Sequence, residues 1–290
     1  MAKYSTKKVN TGKFNSFYCE GGETNKDTII FLHGSGPGAN AESNWSKTLD
    51  KLSDRFHVIA PDMIGFGNTD LPENCDMTFW QWTTARVQQI LEIMDYNHIE
   101  KAHLVGNSMG GVVSLNAVMY DSSRFEKIVL MGSGGSVPKG NAGPPPEIIR
   151  MKDFFKDPTI QAFRNLVSWF LYDESVLGDE LENIIQTRYE FIMRPEIREL
   201  YPKLFNFTPY EIAIPPSALR RIQQPVLLIH GYEDQFVPKE GSLALMEHIP
   251  NAELVLLKQC GHWAQIEKNE RFIELIDQFF LVKEAVQTSN

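Results

Sequence analysis

The sequence predicts an α/β fold: a mostly parallel central sheet flanked by helices, with a helical insertion late in the chain. Three observations predict it. Short apolar runs recur at residues 28–32, 58–60, 103–105, 128–131, 226–229 and 254–257. Several are apolar throughout, as strands buried on both faces of a parallel sheet are. Helix-period patterns separate them, at 45–52, 79–94, 109–120, 239–248 and 271–281, and such strand–helix–strand alternation indicates α/β layering. Finally, the rhythm stops after Met131 and resumes only at Val226.

Taken in order, strand 28–32 runs into His33-Gly34-Ser35-Gly36-Pro37-Gly38, a turn-forming stretch. Strand 103–105 runs into Gly106-Asn107-Ser108-Met109-Gly110-Gly111, where helix 109–120 opens. Strand 128–131 is followed by the glycine-rich 132–135, then Pro138, Gly143 and Pro144-Pro145-Pro146. From there to about Thr208 the pattern is helical and aromatic, with no clear strand. Pro215-Pro216 and Pro225 precede strand 226–229. The expected organisation is a core of residues 1–137 and 209–290, with residues 138–208 forming a helical lid over one end of the sheet. The polar tail 282–290 is expected to fray.

The chain has 290 residues, 42% of them hydrophobic, and a formal charge of −9. That length supports a large core. The acidic balance argues against nucleic acid and anionic membranes as partners, and an anionic ligand would need a local cation. Cys19, Cys75 and Cys260 are too few and too scattered for a disulfide framework or a zinc site. No stretch approaches the ~20 apolar residues of a membrane span, and the polar first residues lead into no apolar run of signal length. A cytoplasmic protein is expected.

Gly-x-Ser-x-Gly between a strand and a helix is the pattern of a nucleophile elbow. The tight turn strains the serine backbone, so its close neighbours must lack side chains. Ser108 is therefore the candidate nucleophile, and the Met109 amide faces the place where an oxyanion would form. The alternative is a glycine-rich turn holding an inert serine; the strand before and the helix after argue against it. A serine hydroxyl needs a base and an orienting acid, in this fold in the chain order Ser, Asp or Glu, His. Gly231-Tyr232-Glu233-Asp234 and Gly261-His262-Trp263 follow the last two strands and supply both. Glu233 competes with Asp234 for the acid. Of the other histidines, His57, His98 and His248 are expected to be exposed near element ends, and His103 and His230 to sit at strand edges. The glycine-rich turn after His33 is where a second oxyanion donor arises. It lacks the Gly-Lys-Ser/Thr of a phosphate-cradling loop.

These segments resemble the meta-cleavage product hydrolases, the carbon–carbon bond hydrolases of aromatic ring degradation within the α/β-hydrolase superfamily. The matching residues are His33-Gly34-Ser35-Gly36-Pro37-Gly38, Ser43-Asn44, Pro61-Asp62-Met63-Ile64-Gly65-Phe66-Gly67 and Gly106-Asn107-Ser108-Met109-Gly110-Gly111. Further on come Phe170-Leu171-Tyr172-Asp173, Arg188, Gly231-x-x-Asp234-x-Phe236-Val237-Pro238 and Cys260-Gly261-His262-Trp263-Ala264-Gln265. They span nearly the whole chain in order. The resemblance implies an α/β-hydrolase fold, a Ser108–His262–Asp234 triad, and an anionic 2-hydroxy-6-oxo-hexa-2,4-dienoate as substrate. It further implies that Arg188 and Asn107 bind the carboxylate and 2-oxo/hydroxy end, that the Ser35 and Met109 amides form the oxyanion hole, and that Phe170 and Trp263 wall the pocket. Gly36 and Asn44 are counted with the substrate-binding positions. No metal or organic cofactor is implied, and a dimer or larger homo-oligomer is.

Arg188 also stands out without the resemblance. Leu181, Ile184, Ile185 and Ile192 form a helical apolar stripe with Arg188 in its middle. A cation there wants an anionic partner, and guanidinium suits a carboxylate; a snorkelling arginine or an internal ion pair is the other reading. Cys260 reads as a packed thiol. Two positions depart from the family pattern: Glu42 and Ile266 stand where tryptophans are usual. Competing readings are a carboxylesterase or other acyl hydrolase with the same triad, which has no need of Arg188, and a hydrolase-like ligand sensor.

Overall fold

The computed structural model describes residues 2–136 and 146–281. Eight strands form one sheet: β1 (Tyr4–Asn10), β2 (Asn15–Gly21), β3 (Thr28–Leu32), β4 (His57–Pro61), β5 (Ala102–Asn107), β6 (Phe125–Met131), β7 (Val226–Gly231) and β8 (Ala252–Leu257). Their spatial order is β1-β2-β4-β3-β5-β6-β7-β8. β2 runs antiparallel to both β1 and β4; the remaining pairs are parallel. The helices are α1 (Ala41–Leu52), α2 (Phe79–Tyr96), α3 (Met109–Tyr120), α4 (Pro146–Phe154), α5 (Ile160–Ser168), α6 (Glu180–Ile192), α7 (Pro195–Leu204), α8 (Pro209–Ile212), α9 (Pro216–Leu219), α10 (Lys239–His248), α11 (Ala264–Glu267) and α12 (Asn269–Leu281). The expected α/β architecture is present.

The continuous apolar runs alternate between two cores. Ile30, Leu32, Leu104, Ile128, Leu130, Val226 and Leu228 face one cluster, with α2 and α3 residues such as Ile90 and Val113. Ile29, Phe31, Val105, Val129, Met131, Leu227 and Ile229 face the other, with Trp45 of α1 and Phe272 of α12. This is the period of 2 of a strand covered on both faces. A third apolar cluster joins α4–α7 to Ile64, Phe66, Trp82, Phe236 and Trp263, so these helices sit over the loops that leave the sheet.

The β1–β2 hairpin was not expected. β1 has no fully buried residue and carries Ser5, Thr6, Lys7 and Lys8, so no apolar run marks it. It is secured instead by polar burial. Glu20 on β2 receives His57 Nε2 at 2.7 Å and pairs with Lys7. Burial pushes the Glu20 carboxyl up, but these two partners outweigh it and hold it below its ordinary value. His57, expected to be exposed, is buried; a partner across the sheet makes that burial tolerable. The expected lid boundary at 137/138, the proline run before Pro146 and the tail 282–290 lie outside the described residues.

Trp45 is fully buried against Phe31 and Phe272, yet its indole N–H has no partner among the described residues. Trp45→Ala is expected to cost about 3–5 kcal/mol. Trp45→Phe should cost far less, because it also deletes an unpaired donor. Urea unfolding of both variants checks this; equal losses would contradict it.

Candidate active site

The strand order reverses between β3 and β5, which start on opposite excursions through the sheet. Ligands of open α/β sheets bind beyond the strand C-termini at such a switch point. The loop after β3 carries His33 to Gly38, and β5 ends in the turn bearing Ser108.

Ser108 has φ 54° and ψ −114°, a left-handed conformation uncommon for a residue with a side chain. Holding it there costs roughly 1–3 kcal/mol. The turn closes because its glycines lack side chains. A Cβ on Gly106 would lie 2.5 Å from the Gly110 carbonyl oxygen, and one on Gly110 would lie 2.2 Å from that of Leu32. Ser108 N–H donates to the Met131 carbonyl at 2.9 Å, tying the turn to β6. The serine thus sits at the N-terminus of α3, where the helix field favours negative charge.

β7 and β8 deliver the other two groups. His262 Nδ1 lies 2.7 Å from Asp234 Oδ2, so the ring donates through Nδ1 and leaves Nε2 free to act as a base. Asp234 Oδ1 accepts the N–H groups of Phe236 and Val237 at 2.7 and 2.9 Å. Glu233, the competing acid, instead accepts the Cys260 N–H at 3.2 Å. His230 is fully buried behind Asp234: its Nε2 donates to the Val237 carbonyl at 2.9 Å and lies 3.3 Å from Asp234 Oδ2, while Nδ1 meets Ser242 at 2.7 Å. Burial works to raise the Asp234 carboxyl, but His262 and His230 outweigh it and hold it well below the usual carboxylate range.

Two cavities flank this centre. Ser35, Ser108 and Met109 line one, with Phe66, Phe79, Arg86, Phe205, Phe207 and Phe236. The other, of about 300 Å³, is lined by Arg188, Asn44, Thr48 and Gln265, and by both departures from the family pattern, Glu42 and Ile266. Phe170 and Trp263 stand beside His262. Their rings stack at 4.7 Å, and Phe170 also stacks on Phe236 at 4.1 Å. Gly36 lets the Phe170 ring approach, since a Cβ there would lie 3.3 Å from it.

Arg188 is 2% exposed and its guanidinium lies 4.7 Å from the Trp263 ring centre. Its Nε and Nη2 have no hydrogen-bond partner among the described residues. These two nitrogens form one edge of the guanidinium, the edge that grips a carboxylate bidentately. Burial pulls its pKa down to about 10, which leaves it charged at neutral pH. Asn107 Nδ2 is taken by the Met131 carbonyl at 3.2 Å, and its buried Oδ1 has no donor among the described residues. Asn44 spends its Nδ2 on the Asn40 carbonyl at 2.8 Å, so its amide nitrogen is already engaged in the first turn of α1.

Sequence reasoning missed three positioning groups. Tyr201 of α7 donates its hydroxyl to the Ser35 carbonyl and orients that peptide. Arg86 is buried on α2, donates to the Ile64 carbonyl at 3.1 Å and contacts the Met109 sulfur at 3.3 Å; burial lowers its pKa to about 9. It interrupts an apolar stripe of Trp82, Ile90 and Ile93, the same signal that marked Arg188. Glu267 accepts the N–H groups of Tyr172, Asp173 and Gly261 at 2.7, 3.1 and 2.6 Å. Together with the Phe170 carbonyl, which accepts from His262 and Trp263 at 2.8 and 3.3 Å, it ties the segment after α5 to the histidine loop.

Two outcomes follow. A depressed Asp234 pKa adds stability above its unfolded value of 3.8, and that contribution is lost as the pH falls through the lower folded value. Asp234→Asn should therefore destabilise at neutral pH, with the gap to the wild type beginning to close only below about pH 4 and narrowing steadily as the pH falls further, as read from urea midpoints; a pH-independent gap would contradict it. Glu267→Gln turns a donor toward backbone N–H groups and should cost about 1–3 kcal/mol, visible in thermal unfolding.

The sequence profile of the alpha/beta hydrolase fold matches residues 27–269. The 2-hydroxymuconate semialdehyde hydrolase of Pseudomonas sp. (strain CF600) is 34% identical over 268 residues, covering 90% of this chain and 89% of its own. A 2-hydroxy-6-oxononadienedioate/2-hydroxy-6-oxononatrienedioate hydrolase of Paraburkholderia phymatum is 34% identical over 261 residues, covering 88% and 87%. Among solved structures, the 2-hydroxy-6-oxo-6-phenylhexa-2,4-dienoate hydrolase of Rhodococcus sp. strain RHA1 superposes with a TM-score of 0.92 at 38% identity, over 97% of this chain and 100% of that one. The meta-cleavage product hydrolase of Pseudomonas fluorescens gives 0.84 at 36% identity, over 96% and 97%. With its fold and most of its length shared with these enzymes, the protein belongs to the meta-cleavage product hydrolases of the α/β-hydrolase family.

Proposed function

We propose that the protein hydrolyses the C5–C6 bond of a 2-hydroxy-6-oxo-hexa-2,4-dienoate, giving a 2-hydroxypenta-2,4-dienoate and a carboxylic acid. The observation that carries this reading is the open Nε/Nη2 edge of buried Arg188. A burial this costly is sustained where an anion completes it, and simple ester cleavage has no use for it.

The substrate spans both cavities. Its carboxylate meets the Arg188 edge, stacked over Trp263. Asn107 stands at the 2-oxo/hydroxy end in this reading; its open Oδ1 is an acceptor and does not bond the ionised carboxylate. Asn44 stands on the wall of the same cavity, and Gly36 packs against the Phe170 ring. The C6 substituent enters the aromatic cavity beside Ser108, whose lining favours an apolar group. His262, held by Asp234, delivers a proton to C5 as the dienol ketonises. The C6 carbonyl is then attacked by Ser108 or a water, and its oxyanion rests on the Ser35 and Met109 amides. Breaking C5–C6 returns the electron pair to the dienolate fragment, and water supplies the acid's second oxygen.

Residues 138–208 act as the lid in this reading, and residues 1–137 with 209–290 as the core. Among the described residues no helix is long and apolar enough to cross a membrane. The reading carries a cytoplasmic homo-oligomer with it; β8, at one sheet edge with Leu256 exposed, offers a pairing surface.

The test is loss of the visible dienolate absorption across a small panel of dienoates. Ser108→Ala should slow decay on the order of 10³-fold or more. Arg188→Met should raise KM for dienoates by about 10–100-fold and leave p-nitrophenyl acetate cleavage within a few-fold of the wild type. Ester cleavage with no dienoate decay would instead establish a plain esterase, and saturable binding without product a sensor.

A further inference from the structure

Gln265 lies on α11, two residues beyond Trp263. It is 1% exposed, and neither its Nε2 nor its Oε1 has a hydrogen-bond partner among the described residues. A primary amide carries two donors and two lone pairs. Burying both ends unmet forfeits their hydration, which an apolar side chain of similar size would not do. The backbone of the turn is secured without it, because the Gln265 carbonyl accepts Asn269 Nδ2 at 2.8 Å.

The place of this amide points to its ligand. It lines the cavity that Arg188 lines, in a wall that also includes Asn44 and Thr48. The same turn supplies Trp263, over which the guanidinium sits at 4.7 Å. Nearby amides do not complete Gln265: Asn44 donates to the Asn40 carbonyl and Asn107 to that of Met131.

We propose that Gln265 is a second ligand for the acid end of the substrate, beside Arg188. Nε2–H donates to a carboxylate oxygen, and Oε1 accepts from the neighbouring 2-hydroxyl. A 2-hydroxy acid presents an acceptor and a donor side by side, and a primary amide presents the complementary pair. The Arg188 edge takes two of the carboxylate's roughly four lone-pair sites, so a third bond is available. Arg188 then supplies charge, and Gln265 distinguishes a 2-hydroxy acid from a bare carboxylate. This inference rests on the carbon–carbon hydrolase reading.

The experiment compares Gln265→Leu and Gln265→Glu with the wild type, measuring KM and kcat for a dienoate, p-nitrophenyl acetate cleavage, and Tm. Gln265→Leu should raise the dienoate KM about tenfold, leave ester cleavage within twofold and raise Tm, because it removes an unmet amide from the free protein. Gln265→Glu sets a carboxylate against the substrate's own and should raise KM further, on the order of 100-fold. An unchanged KM in Gln265→Leu overturns the inference, whatever the Tm, and shows an amide satisfied by water. A lower Tm with ester and dienoate turnover falling together also overturns it, showing that Gln265 only packs α11. A wild type that leaves dienoates intact while cleaving esters sinks the carbon–carbon reading itself and this inference with it; wild-type decay with an unmoved variant KM sinks the inference alone.

Discussion

Gly110 passes so close to β3 that a single added carbon would sit 2.2 Å from the Leu32 carbonyl oxygen. That approach sets the geometry of everything around it. It presses the β5–α3 turn against the loop carrying Ser35, so the serine and the expected oxyanion donors come from neighbouring strand ends. The turn pushes Ser108 into a conformation that costs free energy, and the Met131 carbonyl on β6 helps to hold it there. β7 and β8 continue the same sheet edge outward and deliver Asp234 and His262. Parallel pairing therefore does more than bury apolar runs: it lines up strand C-termini that lie far apart in the chain.

Charge is handled locally. The chain carries −9 overall, yet Arg86 and Arg188 are buried with no carboxylate partner among the described residues. Arg86 is stabilised by a carbonyl, a sulfur and the faces of Phe66 and Trp82. Arg188 has the Trp263 face and an open edge. Burial lowers both pKa values, to about 9 and about 10, without discharging either group at neutral pH. His33 lies in the field of both cations; burial first, and then those charges, lower its pKa to about 3. It is therefore neutral, and its Nε2 accepts the Met63 N–H at 3.0 Å. In a net-negative molecule these two cations act at short range, where low-dielectric surroundings screen their field little.

The helices over the sheet are tied to the histidine loop by backbone rather than by side-chain packing alone. The Phe170 carbonyl and the Glu267 carboxylate together collect five N–H groups from the two segments. Tyr201 does the same for the loop after β3. These bonds fix the histidine loop and the Ser35 peptide relative to the helices.

The sequence by itself determined the layering and named the candidate chemical groups. Uniform apolar runs can only be strands covered on both faces, and glycines two residues either side of a serine are required by a turn that admits no Cβ. An arginine in an apolar stripe was legible for the same kind of reason, since local period fixes which face a residue occupies. The β1–β2 hairpin was not legible, because polar pairs across the sheet secure it: Glu20 and His57 are 37 residues apart and neither reads as buried until the strands are set side by side. The resemblance already favoured Asp234 over Glu233, but composition and spacing alone did not separate two adjacent acids in one loop; the fold shows which of them faces His262. The open amide of Gln265 and the open edge of Arg188 also waited for the fold. An unmet hydrogen bond is a property of what surrounds a group, and only the tertiary structure decides that.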